Sequence, residues 1–253
     1  MVKILDCTTR DGGHCLNWNF SKDFIFDLMA CQNNSKISFY EIGYRNHFDN
    51  QDKGTFYKCT PSLLKEFYSK KGSLKLGVMT DTKRFALEDF PNANDDYIDF
   101  VRIACRPDRI EETLNISQEL YNRGYSVLLQ LMDFSNVSEA EYSILESWEN
   151  KELFETVYIA DTYGTISSEE LELYFNKLKS IGYNRVSFHG HNTSGLAFEN
   201  TLKAIELGAY SVDITLDGIG RGGGNLDAVK FLDGMDGFTS EYYKKLSQIL
   251  AVS

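Results

Sequence analysis

Short runs rich in β-branched and aromatic residues alternate, along the whole chain, with longer stretches whose apolar residues recur at helical intervals. The short runs predict strands near Val2–Thr8, Ile37–Ile42, Leu74–Met79, Ile98–Ala104, Ser126–Met132, Thr156–Ala160, Arg185–His189 and Ser211–Leu216. Between them, Ser21–Ala30 has helical spacing, and Thr60-Pro61 supplies an N-cap followed by a favoured first-turn proline. Pro107 opens a segment through Tyr121 in the same way, and Ser167-Ser168-Glu169-Glu170 puts acids into the first turn of a helix ending near Ile181. Eight alternations of this kind imply a parallel sheet with crossover helices. An open doubly wound sheet usually needs fewer strands in this length. The expectation is therefore an α/β protein, a single (β/α)8 (TIM) barrel over residues 1–253, close to the roughly 250 residues typical of that fold.

Composition narrows the function. A hydrophobic share of 42% and a charged share of 25% describe an ordinary globular chain whose core needs no disulfide or partner to bury it. A homo-oligomer is left open. The net charge of −11 repels phosphate backbones, so no nucleic-acid partner is expected. Five scattered cysteines with no CxxC pair predict reduced thiols and a cytoplasmic setting. The N-terminus meets Asp6, Arg10 and Asp11 after a short apolar run, so no signal peptide is expected, and no stretch is long enough to predict a membrane span.

A barrel of this kind carries its active site at the C-terminal ends of its strands. The unusual polar residues fall at those positions. The first predicted strand runs into Thr9-Arg10-Asp11-Gly12-Gly13-His14, the second into Glu41-Ile42-Gly43-Tyr44-Arg45, and the sixth into Asp161-Thr162-Tyr163-Gly164. The seventh ends in His189-Gly190-His191-Asn192 and the eighth in the glycine-rich loop Gly218–Asn225. Two residues apart on a strand, side chains share a face, so both imidazoles of His189 and His191 can reach one point. Neutral imidazole is a common ligand of divalent metals, and Asp11 can supply the charge partner, since the first and seventh strands of a closed barrel are separated by one strand. Two histidines and a carboxylate also describe the Fe(II) oxygenase triad. Arg10 beside Asp11 favours enolate chemistry, because a fixed guanidinium next to a metal suits a developing oxyanion. The Gly218-x-Gly220-x-x-Gly223 spacing matches a dinucleotide fingerprint, but too little chain follows for the rest of a nucleotide-binding unit. Close backbone approach to a small anion or metal site, with Asn225 projecting inward, is the reading preferred.

Together these residues resemble the metal-dependent aldolase and lyase superfamily that includes 4-hydroxy-2-oxovalerate aldolase, hydroxymethylglutaryl-CoA lyase, isopropylmalate synthase and homocitrate synthase. The resemblance runs from Leu5-Asp6-Cys7-Thr8-Thr9-Arg10-Asp11-Gly12-Gly13 to Gly218–Asn225. It implies that Asp11, His189 and His191 are metal ligands, with Asn225 a further ligand or a supporting group. By the same resemblance Arg10 stabilises an enolate, Glu41 positions substrate or transfers a proton, and Thr162 holds the substrate carboxylate. His14 is similar to the catalytic base of the 4-hydroxy-2-oxo acid aldolases, a task that suits an imidazole with an ordinary pKa of about 6.5. His47 matches no role and is expected at the surface.

Departures from the family pattern sort its members. Asp217–Asn225 contains no cysteine, which disfavours the acyl-CoA lyases. No C-terminal region like that of the aldolases which pass acetaldehyde to a dehydrogenase follows the barrel, so no channelling dehydrogenase is expected. The resemblance thus implies a lyase acting on a 2-oxo acid and an aldehyde with a divalent cofactor, Mn2+ or Mg2+ favoured over Co2+ or Zn2+. The rivals are a Claisen-type acyl-CoA enzyme and a non-catalytic metal-binding barrel.

Overall fold

The computed structural model describes residues 2–250. Eight parallel strands close in sequence order, β1 to β8, around one axis. The strands are β1 Lys3–Asp6, β2 Phe39–Tyr44, β3 Lys75–Asp81, β4 Phe100–Cys105, β5 Ser126–Leu131, β6 Phe154–Asp161, β7 Val186–Gly190 and β8 Ser211–Ile214. Around them lie α1 Thr8–Leu16, α2 Lys22–Asn34, α3 Pro61–Tyr68, α4 Ile110–Asn122, α5 Glu139–Ser147, α6 Ser168–Ser180, α7 Ala197–Glu206, α8 Ala228–Asp233 and α9 Glu241–Leu250. The architecture is the predicted (β/α)8 barrel. All five cysteines are free thiols. Among the described residues, no helix is long and apolar enough to cross a membrane.

Local signals account for most boundaries. The Thr60 hydroxyl accepts the Leu63 N–H at the start of α3, and Ser167 and Glu170 form a reciprocal capping box on α6. An unforeseen capping box, Ser138 with Glu141, opens α5.

One prediction fails at the place that matters most. The pattern predicts a first strand running to Thr8, but β1 stops at Asp6 and residues 8–16 are helical. Asp6 starts the turn by accepting the Thr8 N–H at 2.7 Å. Gly12 and Gly13 sit inside this helix for reasons of space rather than turning. A Cβ on Gly12 would lie 2.9 Å from Ile219, and one on Gly13 would lie 2.2 Å from the Trp18 ring.

The interior is layered. Leu5, Cys7, Phe39, Phe100, Leu128 and Tyr158 fill the barrel as an apolar cluster, apart from the larger core between strands and helices. Above it, alternate strands contribute Glu41 (β2), Arg102 (β4) and Asp213 (β8), and the Arg102 guanidinium lies 4.8 Å from the ring centre of Tyr158 in the layer below. A bulge in β2 shifts its register with β3 between Glu41 and Gly43, and Thr9 Oγ1 donates to the displaced Ile42 carbonyl at 2.8 Å.

Gly77 on β3 leaves the space that the Phe100 ring occupies: a Cβ there would stand 2.4 Å from it. Because Phe100 is fully buried and cannot swing aside, Gly77→Ala is expected to destabilise the fold by about 1–3 kcal/mol. A urea midpoint lowered with an unchanged slope would bear this out. An unchanged midpoint would mean that the barrel interior is not filled as described.

Candidate active site

Helix α1 delivers three of the expected residues to one end of the barrel. His14 lies three residues after Asp11 and four after Arg10, one helical turn on, so it can share a face with each of them. His14 Nε2 lies 4.0 Å from Asp11 Oδ1 and 3.3 Å from the Tyr44 hydroxyl, with its ring edge-on to Trp18 and Tyr44. Strand β7 brings the histidine pair from the other side. Donor atoms of Asp11, His189 and His191 all lie within 4.8 Å of one another, and all three residues are buried. The glycine-rich loop completes the site by folding back along His191, whose backbone bridges to Asn225. Gly220 permits the approach: a Cβ there would stand 2.0 Å from the Asn225 amide nitrogen and 2.8 Å from Asp11 Oδ2. Asn225 Nδ2 donates to Asp11 Oδ2 and, at 3.2 Å, to the Ile219 carbonyl.

The electrostatics hold these groups in fixed charge states. Burial pushes the Asp11 carboxyl up, but the Arg10 guanidinium and the two imidazoles outweigh it and hold the group well below the usual carboxylate range. Burial lowers the His14 pKa to about 4, helped by Arg10 and Arg221. Burial together with His189 lowers that of His191 to about 4 as well. Both rings are therefore uncharged near neutral pH and free to accept a proton or a metal.

Two residues absent from the sequence reading organise the site. Arg102, fully buried on β4, donates Nε to Glu41 Oε1 at 2.7 Å and Nη1 to Asp213 Oδ2 at 2.6 Å, with Nη2 on Glu41 Oε2. Glu41 in turn accepts Arg10 Nε at 2.5 Å, and Asp213 Oδ2 lies 2.8 Å from His189 Nδ1. A continuous chain of buried charge, Arg10–Glu41–Arg102–Asp213–His189, thus passes through the barrel. Glu41 stands beneath Arg10 with both oxygens covered by arginines. Thr162 lines the cavity, and its hydroxyl accepts the Asp133 N–H at 2.7 Å. His47 lies apart from the site, 3.0 Å from Asp89.

The chain of charge leaves three buried polar atoms without any partner around Asp11: Arg10 Nη2, His189 Nε2 and Asn225 Oδ1. One is a cationic donor and two are ligand atoms. Each is costly to bury alone, so their convergence marks a place for a group that accepts from Arg10 and binds nitrogen and oxygen donors. The neighbouring grouping of Cys7, His189 and Asp213 fits a metal less well. Its carboxylate is already shared by Arg102 and His189, and burial pushes the Cys7 thiol far up, so it stays protonated. Above Asp11 opens a cavity of about 220 Å3.

The HMGL-like family model matches residues 92–253. An oxaloacetate decarboxylase from Mycobacterium tuberculosis is 27% identical over 235 residues, covering 88% of this chain and 66% of its own. A 4-hydroxy-2-oxovalerate aldolase from Carboxydothermus hydrogenoformans is 29% identical over 237 residues, covering 88% and 67%. The chain thus spans about two thirds of the length of these relatives. Among solved structures, the N-terminal domain of a candidate aldolase from Bacteroides vulgatus superposes with a TM-score of 0.88 at 25% identity, over 99% of this chain and 86% of that one. The HMG-CoA lyase from Brucella melitensis shares the fold at a TM-score of 0.75 and 15% identity, over 99% and 98%.

Arg102 balances two buried carboxylates at once, so removing its charge strands both. Arg102→Leu is expected to lower stability by about 3–5 kcal/mol, the cost of leaving buried charge uncompensated. Chemical denaturation measures it, and a loss below about 1 kcal/mol, the level of a surface pair, would show that Glu41 and Asp213 do not depend on it.

Proposed function

The chain belongs to the HMGL-like family, and from that premise we propose that it is a divalent-metal-dependent carbon–carbon lyase acting on a 2-oxo acid. Residues 1–253 would serve as one catalytic domain. The observation that carries this reading is the set of three unpartnered buried atoms around Asp11. An oxygenase-type triad accounts for His189 and Asn225 but leaves Arg10 Nη2 without a purpose. An oxyanion next to the metal satisfies all three. The names of the relatives, an oxaloacetate decarboxylase and 4-hydroxy-2-oxovalerate aldolases, point to the same chemistry of a bond next to a 2-oxo acid.

Asp11, His189 and His191 would hold the ion, with Asn225 Oδ1 as a further donor. Mn2+ or Mg2+ suits this mixed oxygen and imidazole set, with Co2+ and Zn2+ also accommodated, and the ion supplies Lewis-acid polarisation of the 2-oxo group. The protein's own residues do the rest. Arg10 donates Nη2 to the oxygen on which negative charge develops, while Glu41 and Asp11 fix the plane of its guanidinium. Glu41 acts through Arg10 and is a positioning residue rather than a proton-transfer group. Thr162 has its lone pair engaged by Asp133, and its O–H makes only a long 3.5 Å contact to the Ala160 carbonyl, so it is free to donate to the substrate carboxylate. His14, uncharged and exposed at the mouth, takes the proton from the hydroxyl on the carbon beyond the enolate. As that proton leaves, the C3–C4 bond breaks, releasing an aldehyde and leaving the electron pair in the enolate of pyruvate or a homologue. Protonation at C3 then gives the 2-oxo acid, and condensation is the reverse.

Assigned roles predict separable defects. Cleavage of 4-hydroxy-2-oxopentanoate, followed by pyruvate release, should fall on the order of 10²–10³-fold in Arg10→Ala. It should fall by about 10²-fold or more in His14→Ala, which keeps its metal. Wild-type cleavage by His14→Ala, a requirement for O2, or turnover of acyl-CoA substrates alone would overturn the aldolase assignment.

Asp213 should matter to the metal without touching it, since it fixes the His189 ring through Nδ1. Asp213→Asn is expected to weaken Mn2+ binding by about 10–100-fold, and His189→Ala or His191→Ala to abolish it. Calorimetric titration with Mn2+ reads both effects, and full occupancy in the alanine variants would exclude these ligands.

A further inference from the structure

The cavity above Asp11 carries more positive charge than a 2-oxo acid needs. Acids outnumber lysine and arginine 37 to 26 in the chain, yet the cavity is lined by Arg10, Lys83, Arg84, Arg106 and Arg221 against Asp11 and Asp81. Arg10 and Asp11 are committed to the site itself. Arg84 is offset by Asp81 at 2.9 Å and Arg106 by Asp108 at 3.2 Å. Lys83 and Arg221 have no ion pair among the described residues. They reach the cavity from strands separated by β1 and β2. Lys83 and Arg84 follow β3, Arg106 follows β4, and Arg221 lies in the loop after β8, four strands round the ring from β4.

A second feature points into the same space. Gln130 on β5 is 3% exposed and lines the cavity, and its Oε1 has no partner. A buried amide oxygen of this kind suits a substrate hydroxyl or a protein-bound water, and an uncompensated one is costly. Single exposed cations contribute little, but several of one sign around a concave mouth focus the field and raise the local concentration of anions.

From this arrangement we propose that the substrate bears a second anionic group, a carboxylate or a phosphate, at the end remote from the 2-oxo acid. Lys83 and Arg221 bind that group, Arg84 and Arg106 flank it, and Gln130 accepts from a polar group on the chain between. The fragment released as aldehyde is therefore itself an anion. The cavity volume of about 220 Å3 suits a short acid and is smaller than the roughly 300–1,000 Å3 of pockets that enclose drug-sized ligands. The inference rests on the 2-oxo acid reading above and specifies its substrate class.

Calorimetry on the full, Mn2+-loaded chain at low ionic strength tests it without requiring turnover. The probes are pyruvate, 2-oxopentanoate, 2-oxoglutarate and 2-oxo-4-phosphonobutanoate, of which the last three match in length and differ at the far end. At least one of the two dianionic probes should bind about tenfold tighter than 2-oxopentanoate, an advantage that shrinks with added salt. The tighter of the two identifies carboxylate or phosphate. A Lys83→Gln/Arg221→Gln double variant should lose that advantage and keep its affinity for pyruvate within about twofold. Equal binding of the matched probes, or an advantage that survives the double variant, overturns the distal-anion inference and leaves the 2-oxo acid reading intact. If no probe binds, pyruvate included, both fail.

Discussion

The site depends on the pairing of Arg102 with two carboxylates inside the barrel. A guanidinium with no exposure to water is among the most costly groups to bury, and it is tolerated here because Glu41 and Asp213 meet three of its nitrogens. Each carboxylate then passes the constraint outward, Glu41 to Arg10 and Asp213 to His189. The two ends of this chain emerge at the Asp11 carboxylate from opposite sides. Their remaining atoms, Arg10 Nη2 and His189 Nε2, are thereby held in place with nothing to bond. Apolar residues of similar volume could fill the barrel as well or better, but they would not aim those two atoms.

The arrangement also sets charge states that the chemistry needs. Three carboxylates, two arginines and two imidazoles are buried together, and their mutual attraction holds Asp11 and Asp213 ionised against the effect of burial. Burial keeps His191 uncharged, and the pKa of His14, exposed on one side, is lowered by partial desolvation with Arg10 and Arg221 nearby. The proposed roles of His14 as general base and His191 as metal ligand both require the uncharged form. The site is thus pre-set before substrate arrives, and closure of a lid is not needed to create the charges.

The barrel and the meeting of Asp11 with His189 and His191 were legible in the sequence because they follow from short-range rules. Strand and helix periods alternate eight times, and the period of two places His189 and His191 on one face. What escaped were effects of tertiary packing. Arg102 and Asp213 sit inside the apolar runs Phe100–Cys105 and Ser211–Ile214, where single charges look like exceptions to a core pattern. A charged residue flanked by apolar neighbours in a strand buried on both faces was the available signal. Helix α1 escaped for a different reason. Two adjacent glycines argue for a loop, and only the proximity of Ile219 and Trp18 explains why nothing larger fits in a helix there. The bulge at Ile42, which shifts the register just beyond Glu41, is marked in the sequence only by Gly43 inside the strand.

The central claim is that a bound divalent ion and the fixed Arg10 donor together stabilise an enolate. Exchange of the pyruvate methyl protons into D2O, followed by NMR under anaerobic conditions with and without added Mn2+, isolates that step from cleavage, aldehyde identity and direction. The account predicts exchange well above the solution rate that requires the ion, proceeds without O2 and stops when a chelator is added. Exchange no faster than in solution with the ion bound would contradict it.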